Sequence, residues 1–338
     1  MRIAIVSTAF PLRGGIAHYV SLLRDHLSKR HQVSIITFKR QYPKFLFPGK
    51  SQEEKGEAGG EQPNPQIIDT LNPLTWFKAG RLAARQNPDL LIFKYWMPFF
   101  APAFGTIARV AKRKSDLLSV IKSPSYRLVP HPVYEIFGRE MAKGEARRKL
   151  DIGRDDKIVL FFGYIRKYKG LHILLDAVKE ALASVGFTLL VAGEFYDNEK
   201  SYRDQIDRLG IGGSVRVFSD YITNEDVAAY FSASDVVVLP YIDATQSGIA
   251  QIAYNFNKPV ITTDVGGLAE IVVDGKTGLV VPPNSPGDLA AAIVRFFRQN
   301  LADSFASGVA EEKRLYSWDN LVSAIEQLTE HSTNPHDS

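Results

Sequence analysis

The stretch GYIRKYKG, 163–170, sets Arg166 and Lys169 between the apolar run IVLFF and the amphipathic run LHILLDAV. Two cations at the carboxyl end of a strand, beside a helix start, suit a diphosphate. Lysine supplies a compact charge and arginine a forked donor, and together they can offset the negative charge that grows on a phosphate leaving group. A solvated basic turn is the alternative for these residues alone. ATQSG, 244–248, adds the hydroxyls of Thr245 and Ser247, the amide of Gln246 and the backbone N–H groups leading through Gly248 into a helix. A phosphate or sugar-hydroxyl site needs such groups, and a simple helix cap needs fewer of them.

Three further stretches could join them. VAGE, 191–194, ends an apolar run in Gly193, which permits close approach, and Glu194, which could accept from hydroxyls. DVGGLAEIVVDGKTGLVVPP, 264–283, offers a Gly-Gly turn and Glu270, either to orient a substrate or to cap a helix, followed by a Gly-bounded, hairpin-like return. GGIAH, 14–18, follows the first apolar run, so Gly14 and Gly15 could bring backbone N–H groups up to an anion; a plain tight turn reads equally from the same residues.

The elements that position these groups follow from the apolar pattern. Strands are predicted at 157–163, 187–193, 214–218, 235–239 and 259–263, with helical periodicity between them. Strands so uniformly apolar need cover on both faces, which predicts a parallel, doubly wound sheet with ligands at the carboxyl ends of its strands. Before it, Ile3 to Val6, a helix carrying Val20, Leu23 and Leu27, and Val33 to Phe38 make a βαβ start. A polar, Gly-rich loop at 51–65, a strand at 88–94, a helix-like stretch at 102–112 and a last strand at 126–129 complete a short first domain. The tail from His331 is polar.

Length and composition bound the function. The 338 residues, 45% of them apolar, are enough for two domains, and a net charge of +4 favours anionic ligands without requiring nucleic acid. The absence of cysteine excludes disulfides, thiolate metal sites and thiol nucleophiles. No signal-type segment or membrane-spanning run is apparent, so the expected location is cytoplasmic. KRQYPKFLFPGK, 39–50, mixes cations with Phe45, Leu46 and Phe47, which allows peripheral contact with the inner face of a membrane, a basic loop being the plainer alternative.

GGIAH with the following HQVSIIT, GYIRKYKG, SDVVVLPY, and GIAQIAYNFNKPVITTDVGGLAEIVVDGKTGLVVPP, in that order, resemble family 4 of the retaining glycosyltransferases. The resemblance covers most of the chain. It implies the α/β GT-B fold, two Rossmann-like doubly wound domains facing a cleft: an acceptor domain at 1–130, a nucleotide-sugar domain at 131–315, and a terminal helix at 316–330 crossing back to the first. It also implies transfer of a sugar from a UDP- or GDP-type donor, with retained configuration, no metal and no other cofactor, to a carbohydrate or lipid-linked acceptor, as in polysaccharide biosynthesis. By motif, Arg166 and Lys169 would hold the diphosphate, Gly15 would approach it from the first domain, and Gln246 to Ile249 would meet phosphate and sugar. Gly193 and Glu270 would line the donor site.

Three departures stand out. Asp243 and Gln251 occupy positions where the family carries glutamates, near the donor sugar and the ribose, and Tyr164 stands where many members have arginine. A neutral amide can still exchange hydrogen bonds with ribose hydroxyls. Around 112–117 the first domain lacks a stretch that such proteins usually carry. The alternative function is therefore a nucleotide-sugar-binding protein with little or no transferase activity.

Overall fold

The computed structural model describes residues 1–12, 14–42, 64–111, 129–244 and 247–333. They form two compact units, Met1–Pro130 with Trp318–Ser338, and His131–Ser317.

The first unit runs β1 (Arg2–Val6), α1 (Gly15–Ser28), β2 (Gln32–Arg40), β3 (Gln66–Asp69), α2 (Pro73–Gln86), β4 (Leu90–Phe93) and α3 (Ala101–Ala111). Its strands form a parallel sheet in the order β3-β2-β1-β4. The buried Ile3, Ile5, Val6, Ile36 and Phe38 supply the apolar strand faces that such a sheet must cover. Phe38, Phe100 and Phe104 pack with Ile68, Ala79 and Ile107 in the core beneath α2 and α3.

In the second unit α4 (Lys143–Lys149) precedes β5 (Ile158–Phe162), α5 (Leu171–Leu182), β6 (Thr188–Ala192), α6 (Glu199–Leu209), β7 (Val215–Phe218), α7 (Asn224–Ala233) and β8 (Val236–Leu239). There follow α8 (Gly248–Asn255), β9 (Val260–Thr263), α9 (Leu268–Ile271), β10 (Gly278–Val281), α10 (Pro286–Arg298) and α11 (Ala302–Glu312). All six strands are parallel, in the order β10-β9-β8-β5-β6-β7. β5, IVLFF, is buried at every residue, as a central strand with helices on both faces requires. Leu174 and Val178 of α5 pack with Leu289, Ile293 and Phe296 of α10 in one core.

GLVV, 278–281, corrects one expectation. It is not the return arm of a hairpin but β10, parallel to β9, with Gly278 opposite Val260 and Val281 opposite Thr263. The physical reason is burial: Leu279 and Val281 join the main core, where an added parallel strand is covered on both faces. Strand 126–129, loop 51–65 and the basic stretch 39–50 lie partly outside the described residues, and 112–117 lies wholly outside them. Within 39–50, Arg40 ends β2 and its charge is answered by Asp69, with Nε 2.9 Å from Oδ1. Among the described residues no helix is long and apolar enough to cross a membrane.

The last helix, α12 (Trp318–Thr333), belongs to the first unit. Trp318, 2% exposed, stacks on His26 with ring centroids 5.2 Å apart and tilts against Tyr19 at 5.3 Å. Glu326 adds bonds to Arg30 at 3.0 Å and His31 at 2.8 Å. Replacing Trp318 with Ala should therefore cost about 3–5 kcal/mol of stability. Urea unfolding of the full chain measures this, and a loss below about 1 kcal/mol would mean that α12 contributes little to the unit.

Candidate functional site

In the second sheet the chain starts at β5, steps outward through β6 and β7, then returns to β8 on the other side and continues to β9 and β10. Right-handed crossovers send the helices after β5 and β8 to opposite faces, which leaves a crevice at the carboxyl ends of these two strands. The loop after β5 carries Arg166 and Lys169. The loop after β8 leads through Tyr241 and Asp243 to Ser247 at the start of α8.

Backbone contacts clip these loops together. Gly170, at φ +72°, lies so close to Pro240 that a Cβ would collide with its carbonyl oxygen. The N–H of Ile242 donates to the carbonyl of Tyr168 at 2.7 Å. On the other side Gly193, at φ +143°, backs onto the carbonyl of Gly163, again with no space for a side chain. Only glycine combines these φ values with such close approach.

Lys169 is thereby folded into the crevice. Its residue is 7% exposed, and its Nζ would lie 3.1 Å from a Cβ placed on Gly163, which Ile249 Cδ1 approaches to 3.0 Å. The ring of Tyr241 lies 5.7 Å from Nζ to the centroid. No hydrogen bond or ion pair joins the ammonium to a carboxylate among the described residues. Burial, reinforced by the charge of Arg166, lowers its pKa to about 7. A buried ammonium of this kind is costly until an anion arrives.

Arg166 reaches its place differently. Its guanidinium lies 4.8 Å from the centroid of Tyr196, which stacks on Tyr164 at 4.7 Å with 13° between the rings. The tyrosine that departs from the family pattern is thus part of an aromatic shelf supporting the arginine. Such a face adds a cation–π attraction of about 0.5–2 kcal/mol.

At α8, Ser247 Oγ accepts from the N–H of Ile249 at 3.2 Å and shares a 3.2 Å hydrogen bond with the buried phenol of Tyr241, whose pKa burial raises. Gly248 is exposed beside Tyr134, whose Cε2 would lie 3.2 Å from a Cβ there. Gln251 is 1% exposed, and among the described residues neither Oε1 nor Nε2 has a hydrogen-bond partner. Each unmet group of this kind costs about 1–3 kcal/mol, so the amide awaits hydrogen-bonding groups from elsewhere.

Arg166, Lys169, Gly193, Ser247, Ile249 and Gly248 therefore gather on the loops and helix start around the β5/β8 crevice, with Gln251 one turn further along α8. Thr245 and Gln246 lie outside the described residues. Asp243 and Glu270 are both exposed, Asp243 on the loop after β8 and Glu270 on α9. Gly15 begins α1 in the first unit. Sequence reasoning missed Tyr196, Tyr241 and Tyr134. Tyr241 adjoins the strand-end motif and was open to notice; the stacking of Tyr196 on Tyr164 is a tertiary contact that no spacing announces.

The parallel sheet with a cationic crevice at its switch point is shared with solved structures that specify the fold. Sucrose-phosphate synthase from Thermosynechococcus elongatus superposes with TM-score 0.71 at 20% identity, over 98% of this chain and 99% of that one. The Anabaena protein HepE in complex with UDP and glucose superposes with TM-score 0.68 at 17% identity, over 98% and 99%. The fold is that of the GT-B glycosyltransferases. Residues 156–299 match the model of the family described as Glycosyl transferases group 1. A D-inositol 3-phosphate glycosyltransferase of Nocardioides is 30% identical over 215 residues, 59% of this chain and 47% of the relative. An uncharacterized glycosyltransferase of Methanocaldococcus jannaschii is 29% identical over 181 residues, 52% and 45%. The chain spans about half the length of these curated relatives.

The lowered pKa of Lys169 has a signed consequence. In the free protein the ammonium is mostly neutral above pH 7, whereas a bound diphosphate favours the charged form. Binding of UDP or GDP at pH 8 should therefore take up close to one proton, and affinity should fall as pH rises above about 7, by up to about tenfold per unit. Calorimetry in buffers of different ionisation enthalpy measures the uptake. It should vanish in Lys169→Met, and its absence from the wild type would remove Lys169 from the phosphate site.

Proposed function

We propose that the chain is a retaining glycosyltransferase that moves a sugar from a UDP- or GDP-type nucleotide sugar to a carbohydrate or lipid-linked acceptor. The observation that carries this reading is the buried Lys169, with no carboxylate partner among the described residues, at the β5/β8 crevice of a unit whose residues 156–299 match the group 1 glycosyltransferase model. The names of the relatives support transfer over binding alone.

In this reading Lys169 and Arg166 hold the donor diphosphate, joined by Ser247 and the first N–H groups of α8 at Gly248 and Ile249, with Thr245 and Gln246 in the preceding turn. Gln251 exchanges hydrogen bonds with the ribose hydroxyls, Asp243 and Glu270 act near the donor sugar, and Gly193 keeps the backbone close. The first unit holds the acceptor. An acceptor hydroxyl oxygen forms a bond to the anomeric carbon on the face from which the diphosphate departs. The carbon–oxygen bond to phosphate breaks, its electron pair leaves with the diphosphate, and the hydroxyl proton passes to a phosphate oxygen. No protein nucleophile is required. The two cations offset the charge that grows on the leaving group, in a site where low polarity strengthens the attraction. No metal is assigned a part, and peripheral membrane contact belongs to the lipid-linked form of the acceptor.

A panel of UDP- and GDP-sugars, assayed for nucleotide release and for the anomer of the product by NMR, tests the proposal. Transfer with retained configuration, changed by less than about twofold when EDTA is added, is expected. Inverted product would overturn the retaining mechanism, loss of activity in EDTA would assign the diphosphate charge to a metal, and donor binding without transfer to any acceptor would favour the binding-protein reading.

A further inference from the structure

Tyr241 stands where the two loops of the β5/β8 crevice meet. It is the second residue beyond β8 and is 3% exposed. Its backbone carbonyl accepts from Thr263 Oγ1, at the end of β9, at 2.6 Å. Its ring meets that of Tyr168 nearly edge-on, with centroids 6.0 Å apart and 82° between the planes, and the Lys169 ammonium lies over it at 5.7 Å. The hydroxyl at the far end of the ring pairs with Ser247 Oγ at 3.2 Å. Among the described residues it has no other hydrogen-bond partner.

Either oxygen of that pair could supply the proton, and the balance of donors and acceptors decides between them. Ser247 Oγ already accepts the N–H of Ile249, at 3.2 Å, as the cap of α8. A serine oxygen has two lone pairs and a single O–H. Were Ser247 the donor, the phenol proton of Tyr241 would be buried with nothing to accept it among the described residues, an arrangement that folded proteins avoid. With Tyr241 as the donor every buried group is met: the phenol and the Ile249 N–H fill both lone pairs of Ser247. The serine then has only its own proton left to give. Burial raises the pKa of Tyr241, so the phenol keeps the proton that this arrangement needs.

We propose that Tyr241 is a positioning residue that, by filling the second lone pair of Ser247, commits the Ser247 hydroxyl to donate to a ligand oxygen. The ligand named here rests on the nucleotide-sugar reading of the crevice. A phosphate oxygen only accepts and so matches a hydroxyl that can only donate, whereas a sugar hydroxyl that had to donate at this point would find no lone pair open on Ser247. The same ring carries Lys169 over its face and holds Ser247 at its hydroxyl. One rigid side chain therefore sets the spacing of two donors that a diphosphate would meet, and neither donor is ordered by a carboxylate among the described residues.

A double-variant cycle tests this, read by calorimetric titration of the full chain with UDP or GDP, whichever binds more tightly, and with the matching nucleoside. Tyr241→Phe keeps the buried ring and removes only the hydroxyl; it should weaken the diphosphate by about three- to tenfold and the nucleoside by less than about twofold. Ser247→Ala should weaken the diphosphate by about tenfold, and the double variant by no more than Ser247→Ala alone, because Tyr241 acts through Ser247. Proton uptake on binding at pH 8, which Lys169 carries, should be the same in Tyr241→Phe as in the wild type. If Ser247→Ala does not fold for want of a helix cap, Ser247→Gly keeps a tolerated cap residue and completes the cycle. Unchanged diphosphate affinity in Tyr241→Phe, equal losses for diphosphate and nucleoside, losses that multiply in the double variant, or a changed proton uptake would each overturn the proposal. A wild type that binds no nucleotide would instead sink the transferase reading, and the same cycle titrated with inorganic pyrophosphate would then decide the role of Tyr241.

Discussion

The β5/β8 crevice of the second unit is organised around one unfavourable interaction, the burial of the Lys169 amine, which no carboxylate pairs among the described residues. Removing such a charge from water costs several kcal/mol even after relaxation. The surrounding sequence holds it there. Gly170 lets the loop after β5 turn tightly against Pro240, Gly193 lets β6 close behind Gly163, and the bond from Ile242 to Tyr168 ties the loop after β8 to the same point. That cost is relieved when the amine gives up its proton, which is why its pKa falls to about 7, or when an anion lies beside it.

The polar groups around Lys169 divide the work. Arg166 is supported on the Tyr196–Tyr164 stack, and among the described residues no acid pairs with it. Ser247 fixes the start of α8, and through that helix the depth at which Gln251 sits. Replacing the family's glutamate by Gln251 removes a charge from a position 1% exposed, where an unpaired carboxylate would be costly, while keeping both acceptor and donor for hydroxyls. Burial thus gives the departure at this position a physical sense.

Much of this was legible in the sequence, and the reasons differ by element. The strands IVLFF and VVVL are continuous apolar runs because both faces are covered, and that alone located β5, β8 and the motif loops at their carboxyl ends. GLVV, by contrast, follows a Gly-bounded turn that reads locally as a hairpin; its pairing to β9 is decided by long-range burial, which local pattern does not encode. The cationic pair was visible as residue types at a strand end. That one member would be buried and the other placed on an aromatic shelf depends on tertiary contacts. Likewise, the resemblance offered Gln251 as a family position, but only the structure reveals that its amide has no partner among the described residues. Helix α2 shows the same limit: Asn72 and Pro73 mark its start, but its buried residues are the small Ala79, Gly80 and Ala83, which leave little apolar periodicity to read.

A crystal structure of the full chain with bound UDP, or GDP if that binds more tightly, tests the central claim most directly. The account predicts phosphate oxygens within hydrogen-bond reach of Lys169 Nζ and the Arg166 guanidinium, and the ribose hydroxyls against the Gln251 amide. A nucleotide bound with its diphosphate elsewhere, leaving Lys169 buried and unpaired, would contradict it.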